Sequence, residues 1–339
     1  MDKNTLSNYG WIIVTTIIIA LMIVLATPFG SYIGDAFTSV VDGFSEKVAE
    51  GTNGAITVSG MGDEAEAIPA GCTYIVSSSG TTLSGDNGDT FPTPAENDMY
   101  MDEEYCYTYN VSYDMRDYGS EYGTEWSVIV IDDSKTSYGP ILSEIAGKPV
   151  THMTYTFDGC GNMTTAPAIP DSVTCMQGTF NRCYNLSTAP VLPNNLTSMN
   201  NAFNGCISLN ATPAIPNNVT DMHNAFWGCT SLVTVSTIPN SVTNMSYAFS
   251  GCVSLVSAPA IPSGVVNMDH AFEACALTSA PTIPSSVKSM NNTFAWCGDL
   301  VGSIEINANP TLYAECLRST QITEVTGSTT LKDEILATK

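Results

Sequence analysis

Basic side chains are scarce in this chain of 339 residues: 10 Lys and Arg stand against 33 Asp and Glu, a formal net charge of −23. That excludes a surface for nucleic acid or for anionic lipid headgroups, both of which need clustered Lys and Arg. Histidine is scarcer still. His152, His223 and His270 lie far apart in sequence and suggest no shared metal site. Nor is there a G-x-S-x-G elbow, a nucleophile–base pair or a metal motif. Asp171, Asp221, Asp269 and Asp299 form no recurring carboxylate pair. No catalytic, cofactor-binding or metal-binding residue is therefore expected, and the chain reads as a non-enzyme. Charged residues make up only 13 %, yet 44 % are apolar, which separates it from a disordered acidic tail. The length allows two domains with sizeable cores.

Charge is also missing from residues 4–34. Within that window, residues 11–26 read WIIVTTIIIALMIVLA, with only Thr15 and Thr16 polar. Trp11, Ile12, Ile13, Ile17, Ile18, Ile19, Leu21, Ile23 and Leu25 form the apolar wall of a membrane or assembly helix. A helix over 9–29 would be ~31 Å long, enough to cross a hydrocarbon core. A cleaved signal peptide is the competing reading, with Val24 and Ala26 suiting the small-residue rule. The leader MDKNTLSNYG disfavours it, because Asp2 offsets Lys3. Lys3 before the span, and Asp35, Asp42, Glu46 and Glu50 after it, put the N-terminus inside and the rest outside. Phe29, Tyr32, Ile33, Phe37, Val40, Val41, Phe44 and Val48 then recur at helical spacing, with Pro28 between the two segments. A long helix, apolar first and amphipathic later, resembles the core helix of type IV pilin-like subunits. That resemblance implies self-assembly into a filament. The family's processing site has Gly before an apolar run with Glu fifth; here Gly10 precedes Trp11, but the fifth residue is Thr15.

Residues 51–66 are rich in Gly and Ala without a period and read as a linker. Residues 67–138 carry β-like stretches at 72–77, 105–112 and 126–131, separated by Gly and Asp clusters, and predict a small acidic β domain. Asp86-Asn87-Gly88-Asp89 and Asp102-Glu103-Glu104 lack EF-hand spacing and read as turns or solvated faces. A disulfide between Cys72 and Cys106 is one option for this domain, given an outside location.

The strongest signal is a repeat. Met recurs at 153, 176, 199, 222, 245, 268 and 290. With it come Phe157, Phe180, Phe203, Phe226, Phe249, Phe272 and Phe294, and Cys160, Cys183, Cys206, Cys229, Cys252, Cys275 and Cys297. The spacing is 23 residues for five intervals and 22 for the last. Such a period means a solenoid, in which each coil buries its apolar side by stacking on its neighbours. The unit is M-x-x-x-F-x-x-C-x-x-L-x-x-x-P-x-I-P-x-x-V-x-x, its apolar letters being core positions and its x positions, Asn224 among them, surface. Pro cannot donate to a ladder and so marks a strand end or corner. The segment before each Cys has room for one helical turn. Cysteines 23 residues apart do not make a zinc finger, and stacked thiols with parallel Cβ vectors do not suit disulfides. The Cys column is expected to be reduced and buried.

The recurring VTxMxxAFxGCxSLxxxPxIPxxVTxM closely resembles the BspA-like class of leucine-rich repeats in bacterial surface proteins. The resemblance implies a right-handed solenoid over 139–300 with a parallel β face and 23-residue coils. It makes 139–153 resemble an N-terminal cap of the repeats, and 301–339 a C-terminal cap. With the N-terminal helix and stalk of 1–50, it implies a membrane-anchored protein at the bacterial surface. Its solenoid would serve adhesion, through a protein or glycan ligand.

Overall fold

In the computed structural model, residues 66–109 and 125–339 are described. The apolar run 11–26, the amphipathic series 29–48 and most of the linker lie outside them. Among the described residues no helix is long and apolar enough to cross a membrane.

The chain divides into two compact units between Glu103 and Glu104, inside the span read above as one β domain. In the first unit, β1 (Thr73–Val76) pairs antiparallel with β2 (Thr81–Ser84) and with β3 (Met99–Met101). Tyr74 and Tyr100 are buried, and both rings meet Phe91, at 5.9 and 5.6 Å. Asp98, 1 % exposed, holds the loops around them. Its carboxylate accepts from the Tyr74 hydroxyl at 2.7 Å and from the Ser77 and Ala95 amides at 2.9 Å. The acidic 86–89 stretch is a turn. Asp86 accepts from the Gly71 amide at 2.9 Å and Asp89 from the Ser84 amide at 2.8 Å, so those oxygens serve the backbone. Cys72, just before β1, is half-buried, and Cys106, the other cysteine of the disulfide option, lies in the second unit.

The second unit opens with β4 (Tyr105–Tyr109), antiparallel to β5 (Trp126–Val130), which runs parallel to β7 (Lys148–His152); β6 (Glu144–Ile145) closes the edge against β7. β4 alternates inward Tyr105, Tyr107 and Tyr109 with half-buried Cys106 and Thr108, the period-two pattern of a one-sided strand. Glu104 ties the cap together through Lys135 Nζ at 3.0 Å and the Gly139 amide. Trp126 is fully buried and donates to the Ile145 carbonyl at 3.0 Å.

β5 and β7 begin the repeat ladder. Ser127 pairs with His152, and single-residue parallel bridges continue through Cys175, Ser198, Asp221, Asn244, Asn267, Ser289 and Leu312. The parallel face of the solenoid is thus one residue wide in each coil. Around it the coils exchange further hydrogen bonds. Between the coils of Met222 and Met245, for example, the amides of Met222, Asn224, Phe226 and Gly228 donate to Asn244, Ser246, Ala248 and Ser250 at 2.8–3.0 Å. The Pro of each Ile-Pro pair accepts from the Val three residues on, as in Val219 to Pro216 at 3.1 Å, which closes the corner.

No helical turn forms before each Cys. The segment instead carries two left-handed residues per coil. Tyr155, Gly178, Asn201, Asn224, Tyr247, His270 and Asn292, each two residues after Met, have φ from 51 to 59°. So do Gly159, Arg182, Gly205, Gly228, Gly251, Ala274 and Trp296, each just before Cys, with φ from 56 to 79°. A left-handed residue every fourth position breaks the right-handed helix before it can start. At Gly178 a Cβ would lie 2.3 Å from the Tyr155 ring, so Gly there also makes room for the side chain of the coil before.

An eighth coil completes the stack. Met290, Asn292, Phe294 and Trp296 donate to Leu312, Ala314, Cys316 and Arg318, which puts Tyr313 in the Met slot, Leu317 in the Phe slot and Thr320 in the Cys slot. Glu315 (φ 51°) and Ser319 (φ 58°) repeat both left-handed positions. β8 (Val301–Glu305), after Leu300 of the seventh coil, pairs parallel with β9 (Gln321–Thr326), after Thr320 of the eighth, and α1 (Lys332–Leu336) closes the end, with Ile335 fully buried. The expected C-terminal cap therefore contains a coil of the solenoid itself.

Candidate binding surface

The core is closed. All seven repeat Phe rings are fully buried and stack face to face, centroids 5.3–5.7 Å apart and planes within 17°. Beside them the Cys column does more than fill space. Each thiol from Cys183 to Cys297 donates to the Phe carbonyl of the preceding coil, at 3.0–3.2 Å. That carbonyl also accepts from the Cys amide of its own coil, for example Cys229 to Phe226 at 3.2 Å. Cys160 has no coil before it and receives the Tyr138 hydroxyl instead, at 3.3 Å. Cys is small, buried and carries one weak donor, which is what this slot requires. Burial pushes these thiols up: Cys160 to about 12, Cys297 to about 11, and Cys206, Cys229 and Cys252 well above the usual thiol range, where each neighbouring thiol adds to the effect. A neutral, enclosed thiol is a poor nucleophile and a poor metal ligand.

Outside the closed core, the x positions around the Met and Phe slots carry polar and aromatic side chains. In coils four to six these form a continuous polar and aromatic run. Tyr247 lies flat on His270, centroids 4.3 Å apart and planes 6° apart, and meets His223 edge-on at 6.0 Å. His270 Nδ1 is 2.8 Å from Glu273 Oε2. His223 Nδ1 is 2.7 Å from Ser246 Oγ, and its Nε2 is 3.0 Å from Asn224 Nδ2. Asp221 accepts from Asn244 Nδ2 and the His223 amide; Asp269 accepts from Ser289 Oγ and the Asn291 amide. Burial, then Glu273 and Asp269, hold the Tyr247 hydroxyl protonated beyond its usual range. Trp227, next to Phe226, is 46 % exposed. Near the other end Arg182 makes a two-pronged pair with Asp158, at 2.8 and 3.1 Å. The network fixes side-chain positions, and its side chains stay partly exposed: His270 is 23 % and Glu273 26 % accessible.

Sequence spacing set His223, His270, Asp221 and Asp269 aside as scattered, whereas Tyr247 stands between the two imidazoles; Tyr247, Glu273 and Trp227 did not stand out, because they occupy x positions with mixed occupants. The available signal was the aromatic residue two after Met in coils one and five, Tyr155 and Tyr247.

Stacked coils of this geometry define a leucine-rich repeat solenoid. The BspA type leucine rich repeat model matches residues 149–233 and 222–335, with six copies, and these cover more than half of the chain. The chain belongs to that family. The second match runs through the eighth coil into α1. Among solved structures, a Treponema pallidum leucine-rich repeat protein is 27 % identical, covering 55 % of this chain and 76 % of its own, with a TM-score of 0.38. A Bacteroides ovatus leucine-rich repeat protein is 20 % identical over 68 % of this chain and 80 % of its own, TM-score 0.35. A leucine-rich cell surface protein of Faecalibacterium prausnitzii is 18 % identical over 68 % and 89 %, TM-score 0.33. No curated protein matches the chain.

Proposed function

We propose that this is a membrane-anchored bacterial surface protein that displays its solenoid for adhesion. The apolar run 11–26 is the anchor, with the N-terminus inside and the repeats outside. The surface of coils four to six meets a protein or glycan ligand. The observation that carries the binding role is the partly buried run of His223, Tyr247, His270 and Glu273, held by ring contacts and hydrogen bonds on a scaffold whose own core is closed. Aromatic faces flanked by fixed polar groups are what a saccharide ring or a protein side chain packs against. Protease added to intact cells should remove the repeats and leave a small membrane-bound fragment. A soluble product beginning at Thr27 would contradict the anchor and make 11–26 a signal peptide. The amphipathic series after the run supports a second reading, a pilin-like subunit assembled through that helix. Detergent extraction followed by negative-stain microscopy separates the two: dispersed particles fit an anchor, filaments fit a subunit.

A further inference from the structure

Charge is laid out unevenly along the coils. Between Arg182 and Lys288 the sequence has no basic side chain, and its acids are Asp221, Asp269 and Glu273. All three sit in the run of His223, Tyr247 and His270. The hydrogen bonds described for them engage one oxygen of each carboxylate, and no partner in those bonds is a Lys or Arg.

The two arginines among the described residues show how this scaffold holds a guanidinium. Arg182 is paired with Asp158, which follows Phe157 one coil back. Arg318 lies over the Trp296 ring, 4.6 Å from its centroid, while its Nη1 meets Glu315 Oε2 at 2.7 Å. Coils four and six offer the same two groups without an arginine. Trp227 and Glu273 each follow a repeat Phe directly, two coils apart, or ~9.6 Å at ~4.8 Å per coil. Trp227 is exposed. Between them lie Gly228, Ser250 and Gly251, with no large side chain. A Cβ on Gly228 would meet nothing within 4 Å. The two contacts of Arg318 span roughly 7 Å together, which the two-coil gap accommodates.

We infer that coils four to six take an arginine-bearing segment of a partner protein, one guanidinium lying between Trp227 and Glu273. This rests on the reading of these coils as the ligand surface and names the chemistry of the partner. Arginine fits better than lysine, because its planar head stacks on an indole and still offers a fork of donors to a carboxylate. Asp221 and Asp269 add to the attraction, and the net charge of −23 steers a basic segment toward the chain. A neutral glycan would bring no charge to these acids.

The test is fluorescence anisotropy with the full chain in non-ionic detergent, near neutral pH and in about 0.15 M salt. The probes are a labelled peptide of alternating Arg and Ser, its Lys and citrulline counterparts, and a labelled neutral β-glucan oligosaccharide. The variants are Trp227→Ala and the pair Asp269→Asn with Glu273→Gln. Asn keeps an acceptor for Ser289 and Asn291, and Asn200 and Asn291 already fill that slot in other coils. The control pair, Asp171→Asn with Asp299→Asn, removes the same charge at exposed positions off the run. Thermal melts of all variants should stay within a few degrees of the wild type. The Arg peptide should bind, the Lys peptide more weakly, and the citrulline peptide not measurably. Trp227→Ala should weaken the Arg peptide at least ~3-fold. The acidic pair should weaken it at least ~10-fold and the control pair less than ~2-fold. Equal losses in the two pairs would mean that net charge alone attracts the peptide, and would overturn the inference. So would an Arg peptide that does not bind, or one that binds no better than its citrulline counterpart. If instead the oligosaccharide binds and Trp227→Ala removes it, the ligand surface stands and the partner class is wrong. If no probe responds to Trp227→Ala, the ligand surface falls with it.

Discussion

Phe226→Ala should cost about 3–5 kcal/mol in urea unfolding of the full chain. The ring is fully buried in the central coil, 5.4 Å from Phe203 and 5.6 Å from Phe249. The site cannot collapse, because inter-coil hydrogen bonds on either side of it fix the coil spacing. A cavity therefore persists, and a solenoid held only by nearest-neighbour contacts passes the damage to adjoining coils. Exposed Asn217 is the control: Asn217→Ala should fall within about ±0.5 kcal/mol. Asn224, read from sequence as a neutral surface position, is a poor control. Its φ is 54°, and its amide nitrogen lies 3.0 Å from His223 Nε2. Asn224→Ala should cost about 1–2 kcal/mol from the left-handed backbone alone. Equal, small losses for Phe226→Ala and Asn217→Ala would contradict a buried Phe column.

Raising the pH from 9 toward 11 should destabilise the protein steeply. In the unfolded chain each thiol ionises from about pH 9 upward. In the fold, burial keeps Cys160 neutral to about 12 and Cys297 to about 11, with Cys183, Cys206, Cys229, Cys252 and Cys275 held higher. Below pH 9 both states hold their protons and the contribution is level. Above it only the unfolded state releases them, so stability falls by about 1.4 kcal/mol per pH unit for each such thiol. These seven thiols and buried Cys316, also raised to about 11, should together make the alkaline limb far steeper than Lys and Tyr titration gives. Cys229→Ser should make it shallower by one thiol's share. Urea midpoints measured at half-unit steps check this. A stability that stays flat to pH 10.5 would mean the thiols reach water.

The repeat was legible because stacking allows few choices in the Phe and Cys slots. A ring must lie flat on its neighbours, and a small donor must reach the carbonyl one coil back; these demands hold the residue type through seven coils. The left-handed positions were not legible. They demand only a backbone angle, and Tyr, Gly, Asn, His, Arg, Ala and Trp all meet it here, some with strain. The eighth coil was hidden for a related reason. Next to the cap its slots accept Tyr313, Leu317 and Thr320, so the pattern disappears while the hydrogen bonds continue. The β segments from 105 onward were legible as strands but not as part of the repeat unit. Alternation shows which face of a strand is buried, not what buries it. The polar and aromatic run of coils four to six depends on which x positions meet across coils, and that follows only from the stacking.

The most direct test of the stacked-coil account is thiol protection. The native chain is treated with iodoacetamide at neutral pH, and each cysteine is located by mass spectrometry. Cys160, Cys183, Cys206, Cys229, Cys252, Cys275 and Cys297 should remain reduced and unmodified until urea is added, while half-buried Cys72 reacts first. Alkylation of the seven as fast as in the unfolded chain, or disulfides linking neighbours in the column, would contradict it.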